Sequence, residues 1–286
     1  MKYILGGGIA GLISAFYLKD YTILTEKIGG QLAKDFPLGP RFVKITPETV
    51  ELFTALGLSL ACRRITVGYL SGGEIFASPT DEMIQIYREK THRTDSKQKV
   101  MNRGESYIFV FRDSDKLVPA LIDSLKDRVK TGIRLTEIPR EGGRFLVNTL
   151  PLDLLYSFLE MPVKLESYPI LFLHDYSQNL WYSLRSCGMA YAYILDPHDP
   201  FYRVTLTEDP GRIVKESHWT NLQRLDHFQH IYVNPGRVMK GPDSAKTIIT
   251  QGDRVIENVG RYAQWDPEIR IPEVIRRVKE VRDDVG

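Results

Sequence analysis

The chain has 286 residues, 43% of them hydrophobic and 26% charged, which describes an ordinary soluble globular protein with material for one large or two modest domains. A net charge of +2 provides no global field that would draw it onto nucleic acid or an anionic membrane. Its two cysteines, Cys62 and Cys187, match no metal or redox spacing and read as small buried hydrophobes of a chain in a reducing, cytoplasmic compartment.

The first predicted element is a short apolar strand, Lys2 to Leu5, followed by a helix from Ile9 to Lys19. An apolar stretch behind Lys2 superficially suits a targeting signal, but three consecutive glycines oppose one, because the core of such a signal must form a compact helix. Between strand and helix, Gly6-Gly7-Gly8-Ile9-Ala10-Gly11 satisfies G-x-G-x-x-G. Gly6 makes the tight turn, Gly8 lets the backbone approach a pyrophosphate, and Gly11 lets helix and strand pack closely. The ligand's charge then lies against the free N–H groups of the helix start, at Ile9 and Ala10. A second strand, Tyr21 to Thr25, ends on Glu26, at the spacing where a carboxylate accepts hydrogen bonds from a ribose. With a strand before, a helix after and an acid at the second strand's end, the stretch reads as a dinucleotide site rather than a glycine-rich surface turn.

The next residues, Lys27 to Gln31, place the pair Gly29-Gly30 just after that acid. This resembles the extension found in FAD-binding proteins of the flavin-containing amine oxidase type, which include protoporphyrinogen oxidase and UDP-galactopyranose mutase. The resemblance implies FAD as cofactor, held by a Rossmann-like, three-layer α/β domain of the glutathione-reductase type, with an inserted α+β substrate domain. It implies contacts to FAD from Gly6, Gly8, Ile9, Ala10, Gly11, Glu26, Lys27, Gly30 and Gln31, the last standing where relatives carry Arg. It also places Gly39, Pro40 and Arg41 against the isoalloxazine. Galactopyranose mutases carry histidines in this last segment, where this chain has Arg41 and Lys44. Near the end of the chain, "VIENVGRYAQWDPEIRIPEVIRRVKE" resembles the family's closing strand, Gly-Arg motif and last helix. Gly260, Arg261 and Ile271 are its candidate flavin contacts.

Between these ends the FAD domain is expected to be discontinuous, over residues 1–48, 113–150 and 228–286, with 49–112 and 151–227 forming the substrate domain. "ITVGYLSGGEIFA" reads as a hairpin around Ser71-Gly72-Gly73. A helix is expected from Leu117 to Val129, then short strands in "IRLTEI" and "RFLVNT". "YAYILDPHDPFYRVTL" reads as two strands joined by a Pro- and Asp-rich turn, and strict alternation would put Phe201 and Arg203 on one face, Tyr202 and Val204 on the other. The polar stretch at 88–104 carries more basic than acidic residues and reads as a solvated loop, or else as a mobile cover over the active site or a contact for a phosphorylated substrate.

No H-E-x-x-H, Cys/His cluster or G-x-S-x-G elbow is present, so no metal is assigned and the flavin must supply the reactive atom. Arg41, Arg203 and Trp265 are the candidate catalytic residues. Arg203 resembles a mutase arginine that grips the substrate diphosphate, and a guanidinium fork suits phosphate or carboxylate; pairing with a nearby acid is the plain alternative. Trp265, Tyr262, Tyr182 and Tyr193 could line an aromatic pocket, and His218 and Trp219 are weaker candidates. The expected activity is FAD-dependent oxidation of a C–N bond in an amine or amino-acid-derived substrate. The alternatives are a non-redox mutase chemistry, retention of FAD without catalysis, and, from the compact size, a phage-type flavoenzyme acting on an amino-acid-modified pyrimidine in DNA. The substrate is thus a small or nucleotide-linked molecule, with nucleic acid as a partner suggested by the 88–104 stretch alone. With no second G-x-G-x-x-G, a dedicated NAD(P)H domain is not expected.

Overall fold

The computed structural model describes residues 2–29, 42–91, 107–141, 143–218, 230–239 and 247–285. Its strands are β1 (Lys2–Leu5), β2 (Tyr21–Leu24), β3 (Cys62–Ser71), β4 (Glu74–Phe76), β5 (Tyr107–Phe111), β6 (Val129–Lys130), β7 (Phe145–Asn148), β8 (Glu166–Tyr176), β9 (Met189–Ile194), β10 (Phe201–Leu206), β11 (Arg212–His218), β12 (His230–Met239), β13 (Ile248–Gln251) and β14 (Arg254–Asn258). The helices are α1 (Ile9–Tyr17), α2 (Pro47–Ala55), α3 (Asp81–Lys90), α4 (Leu117–Ser124), α5 (Leu152–Phe158), α6 (Gln178–Ser186), α7 (Arg261–Gln264) and α8 (Ile271–Val285). None is long and apolar enough to cross a membrane.

The chain divides into two compact units, one of residues 1–62, 111–167 and 237–286, the other of 63–110 and 168–236. The sequence boundaries at 48, 112, 150 and 227 thus differ most at α2 and α5, which both belong to the first unit. Leu52 and Phe53 of α2 are fully buried, and the Phe53 ring stacks on Phe111 at 4.0 Å between centroids. Leu152, Leu155 and Tyr156 of α5 are buried against Tyr3, Leu5 and Leu146. A short amphipathic helix shows that it covers something, but its sequence does not say which sheet.

In the first unit the sheet runs β13-β14-β7-β1-β2-β6, with β14, β7, β1, β2 and β6 parallel and β13 antiparallel to β14. Side chains alternate between the two faces, and both faces are covered. Ile4, Ile23 and Val147 meet Leu12, Ile13, Leu52, Phe53, Leu121 and Ile275, the apolar faces of α1, α2, α4 and α8. Tyr3, Leu5, Leu146 and Ile256 meet α5 and Trp265 on the other side. α2 starts on a capping box in which the Thr46 and Thr49 side chains each accept from the other's backbone N–H, with Pro47 at the first turn.

Two expectations change here. The helix after Leu117 ends at Ser124 and gives way to a 3₁₀ turn at Lys126–Arg128. That turn aims Arg128 Nη1 at the Ala15 and Leu18 carbonyls (2.7 and 3.2 Å), satisfying acceptors at the C-terminus of α1. "IRLTEI" is not a strand: the chain leaves the sheet at Gly132, whose φ is +75°, and Ile138 packs into the far-face core from irregular backbone.

The second unit is a sheet in the order β12-β8-β11-β10-β9-β3-β4, with β5 also paired to β3. α6 covers one face, setting Trp181 and Leu184 against Ala192, Val204 and Ile213. α3 covers the other, setting Ile84 and Tyr87 against Val67, Tyr69 and Tyr202. The β3–β4 hairpin turns at Gly72 and Gly73, with φ +58° and +82°, the paired left-handed conformation of a tight turn between twisted strands. Both cysteines are exposed, Cys62 at the start of β3 and Cys187 just after α6, which corrects their reading as buried hydrophobes.

Candidate dinucleotide site

The carboxyl ends of three parallel strands lie in register in the first unit: Leu5 pairs with Asn148, and Asn148 with Asn258. In open α/β sheets this edge is where ligands bind. Gly6 turns the chain out of β1 with φ +102°, and a side chain there would strike Thr149 Oγ1 at 2.8 Å. Gly11 has less room still, since a Cβ would lie 2.0 Å from the Gly6 carbonyl oxygen. Gly8 differs from both: nothing lies within 4 Å of where its Cβ would stand. The turn is therefore packed shut behind Gly6 and Gly11 and open at Gly8. Among the described residues α1 begins there without a side-chain cap, which leaves the N–H groups at Ile9 and Ala10 to a ligand or to water.

The end of β2 is tied to the same turn. Thr25 Oγ1 accepts from the Gly7 N–H (3.1 Å) and donates to the Lys27 carbonyl (2.8 Å), while the Gly29 N–H donates to the Gly7 carbonyl (2.8 Å). Glu26 and Lys27 project from this bend as exposed side chains. Gly30, Gln31, Gly39, Pro40 and Arg41 lie outside the described residues, as do Trp219 and residues 92–104.

Gly260 brings the end of β14 to this place. Its φ is +106°, and a Cβ would fall 2.7 Å from that of Ala10, so the Gly-Arg turn rests on the first turn of α1. Arg261 opens the four-residue α7, with Nε 3.4 Å from the Ile269 carbonyl. Ile271 starts α8 and packs half-buried against the helical core.

A buried polar network that the sequence reading missed holds this edge together. Asn148 Nδ2 donates to Asn258 Oδ1 (2.9 Å), Asn148 Oδ1 accepts from the Leu150 N–H (3.1 Å), and Gln264 Nε2 donates to the Asn258 carbonyl (3.0 Å). Thr149 Oγ1 donates to the Leu5 and Gly6 carbonyls at 2.8 and 3.0 Å. The available signal was an Asn closing each of two apolar strands.

Trp265 is packed into the core. It is 1% exposed in the far-face core, its Nε1 donates to the Glu166 carbonyl (2.9 Å), and its left-handed backbone (φ 52°) ends α7. Tyr262 lies in the same core, where burial pushes its hydroxyl pKa up to about 12. Tyr182 is 56% exposed on α6, away from the tyrosines beneath α3.

Arg203 belongs to the second unit, beside those tyrosines. A bulge between Phe201 and Arg203 breaks the expected alternation, so Phe201 and Val204 face α6 while Tyr202 turns with Arg203 toward Tyr87 and Tyr191. Arg203 Nε donates to Glu216 Oε1 at 2.5 Å, its Nη2 is also paired with that carboxylate, and its guanidinium lies 6.0 Å from the Tyr191 ring centre. Burial opposes the charge on Arg203, yet the Glu216 carboxylate raises the pKa above the ordinary guanidinium value. One edge of the fork is thus committed to an internal acid, and the side chain remains about one-third exposed, at 36%. His218 is buried, with its ring 5.1 Å from that of Tyr202.

No family model matches the chain, and no curated protein matches it in sequence. Solved structures share its fold. A reduced UDP-galactopyranose mutase is similar with a TM-score of 0.65 and 12% identity, over 100% of this chain and 93% of the other. Cyclohexylamine oxidase from Brevibacterium oxydans IH-35A is similar with a TM-score of 0.62 and 10% identity, over 99% and 98%. Wild-type putrescine oxidase bound to putrescine is similar with a TM-score of 0.56 and 11% identity, over 99% and 98%. At such identities the likeness is one of fold, and it is the fold of the amine oxidase and galactopyranose mutase flavoproteins that the sequence resembles.

Proposed function

We propose that the chain is an FAD-dependent oxidoreductase that oxidises a C–N bond of an amine or amino-acid-derived substrate. The first unit would be its FAD domain, of the glutathione-reductase type, and the second its substrate domain. The observation that carries the reading is the turn that is open at Gly8 and closed at Gly6 and Gly11, set at the carboxyl edge of a parallel sheet. A pyrophosphate fits such a turn because uncapped N–H groups at Ile9 and Ala10 face it. The exposed Glu26 carboxylate would accept hydrogen bonds from the ribose hydroxyls, and Gly260, without a side chain, lets the end of β14 rest on Ala10 at the start of α1. Gly30, Gln31, Gly39, Pro40, Arg41, Arg261 and Ile271 are assigned to FAD by resemblance. The chemistry supplied by bound FAD is acceptance, at N5, of a hydride from the carbon that bears the substrate nitrogen. Two exposed cysteines suit a reducing compartment, and we place the enzyme in the cytoplasm.

The test is an absorption spectrum of the purified chain before and after anaerobic mixing with pooled amines. A flavin spectrum that bleaches supports the reading, and a colourless chain that takes up no FAD in excess overturns it. The partly exposed guanidinium of Arg203, held by Glu216, favours a second reading, a mutase-like chemistry on a substrate with an anionic group. That reading requires activity only after flavin reduction, and oxygen uptake coupled to turnover excludes it.

A further inference from the structure

Gly7 is the glycine that G-x-G-x-x-G does not ask for, since it stands at an x position and its backbone is not left-handed. Its reason is Thr25, just past the end of β2. A Cβ on Gly7 would lie 2.7 Å from Thr25 Cγ2, 2.8 Å from Oγ1 and 2.9 Å from Cβ. The threonine is buried and lies flat on the peptide that links the closed part of the turn, at Gly6, to its open part, at Gly8. Both polar groups of Gly7 are spent on the bend after β2. Its N–H donates to Thr25 Oγ1 (3.1 Å), and its carbonyl accepts from the Gly29 N–H (2.8 Å). The Thr25 hydroxyl donates in turn to the Lys27 carbonyl (2.8 Å), so one oxygen ties Gly7 to the residues on both sides of Glu26. Backbone bonds hold the bend from its other side: the Glu26 carbonyl accepts from the Gly132 N–H and the Thr25 carbonyl from the Ile133 N–H, each at 3.1 Å.

A valine in this place would have nearly the same shape and would serve packing alone. What the hydroxyl adds is a fixed link between the turn that is open at Gly8 and the bend that carries the exposed Glu26 carboxylate. A ligand that touches two groups binds best when their separation is set before it arrives, because ordering them on binding costs affinity. We infer, resting on the FAD reading, that Thr25 is a positioning residue for the cofactor: its hydroxyl holds Glu26 within reach of the adenosine ribose while the turn at Gly8 takes the pyrophosphate. Thr25 itself touches neither part of the ligand on this account and acts through Glu26.

The experiment is retention of FAD by the full chain in ultrafiltration, over a range of FAD concentrations. It compares wild type, Thr25→Val, Thr25→Ser, Glu26→Ala and the double variant Thr25→Val with Glu26→Ala. Thr25→Val should weaken FAD roughly three- to tenfold, the share of a neutral hydrogen bond, and Thr25→Ser should bind as wild type does. Glu26→Ala should weaken it at least as much, because the carboxylate bonds the ribose directly. Adding Thr25→Val to Glu26→Ala should cost nothing further, since no carboxylate is left to place. A threonine that only supports the fold would cost FAD the same factor in both backgrounds, and that result overturns the proposal. FAD binding by Thr25→Val equal to that of wild type overturns it too. Should Thr25→Val fail to give the wild-type circular dichroism, Thr25→Ala takes its place in the same cycle, because it leaves room for a water on the Gly7 N–H. A wild-type chain that retains no FAD overturns the FAD reading and this role with it, whereas retained FAD with an uncoupled Thr25 overturns the positioning role alone.

Discussion

Gly260 touches Ala10: a methyl group added to the glycine would lie 2.7 Å from the Ala10 Cβ, at a backbone φ of +106°. Two separate costs follow for Gly260→Ala, about 1–3 kcal/mol for the backbone and about 1–3 kcal/mol for overpacking. Paired with Ala10→Gly, the variant should regain the packing share and keep the backbone share. Urea unfolding of the two single variants and the double variant measures the split. An additive cycle would mean that the two residues do not touch.

The glycine pattern was legible in the sequence because its demands are local. A positive φ at Gly6 and close approach at Gly11 follow from a strand, a turn and a helix that are neighbours along the chain. What joins them from afar was not legible. That Asn148 meets Asn258 depends on β7 and β14 being adjacent, a fact of topology spread over more than a hundred residues. The bulge at Arg203 depends on register with β11, and the exposure of Cys62 depends on where the edge of its sheet lies.

Asn148 has no exposed atoms and spends its amide on Asn258 and the Leu150 backbone. Asn148→Ala should therefore cost about 1–3 kcal/mol for each polar group it orphans. On the FAD reading it should also weaken cofactor retention, because Leu150 and Thr149 back the turn at Gly6. Thermal melts with and without added FAD check both effects. A variant as stable as wild type would show that the network is dispensable.

Glu216 is nearly inaccessible and carries the charge that balances Arg203. Breaking a buried pair costs about 3–5 kcal/mol, and Glu216→Gln should fall at or below the low end because Arg203 retains 36% exposure. Replacing both, as Arg203→Met with Glu216→Leu, should recover most of that loss. The double variant then isolates the arginine's second role: if it grips an anionic substrate group, KM rises in a protein that folds normally. An unchanged KM assigns Arg203 to structure alone.

Both cysteines should react with a thiol reagent in the native protein, because both are exposed. Two equivalents titrated without denaturant is the expected result. Reaction of either thiol only after unfolding would restore the buried reading.

Lys90 ties the end of α3 to the chain after β9, with Nζ donating to the Ile194 and Asp196 carbonyls at 3.1 and 2.7 Å. Burial lowers its pKa from 10.5 to about 8, against the pull of the Asp199 and Asp196 carboxylates. The folded state therefore binds fewer protons here than the unfolded chain between those two values, so stability contributed by this group rises with pH across that window. Below about pH 8 the burial penalty is present in full. Above 10.5 it is gone. Other groups titrate in the same range, so the difference between wild type and Lys90→Met is the quantity to follow. Because solvent screens a partly exposed ammonium, wild type should gain on the variant by less than the full shift implies, roughly 1–2 kcal/mol, as pH rises from about 8 to 10.5 in urea unfolding. The methionine variant would also lose both carbonyl contacts, an effect independent of pH that offsets the curves without changing their slopes. Parallel curves would mean that the ammonium titrates at its ordinary value and that the clasp is solvated.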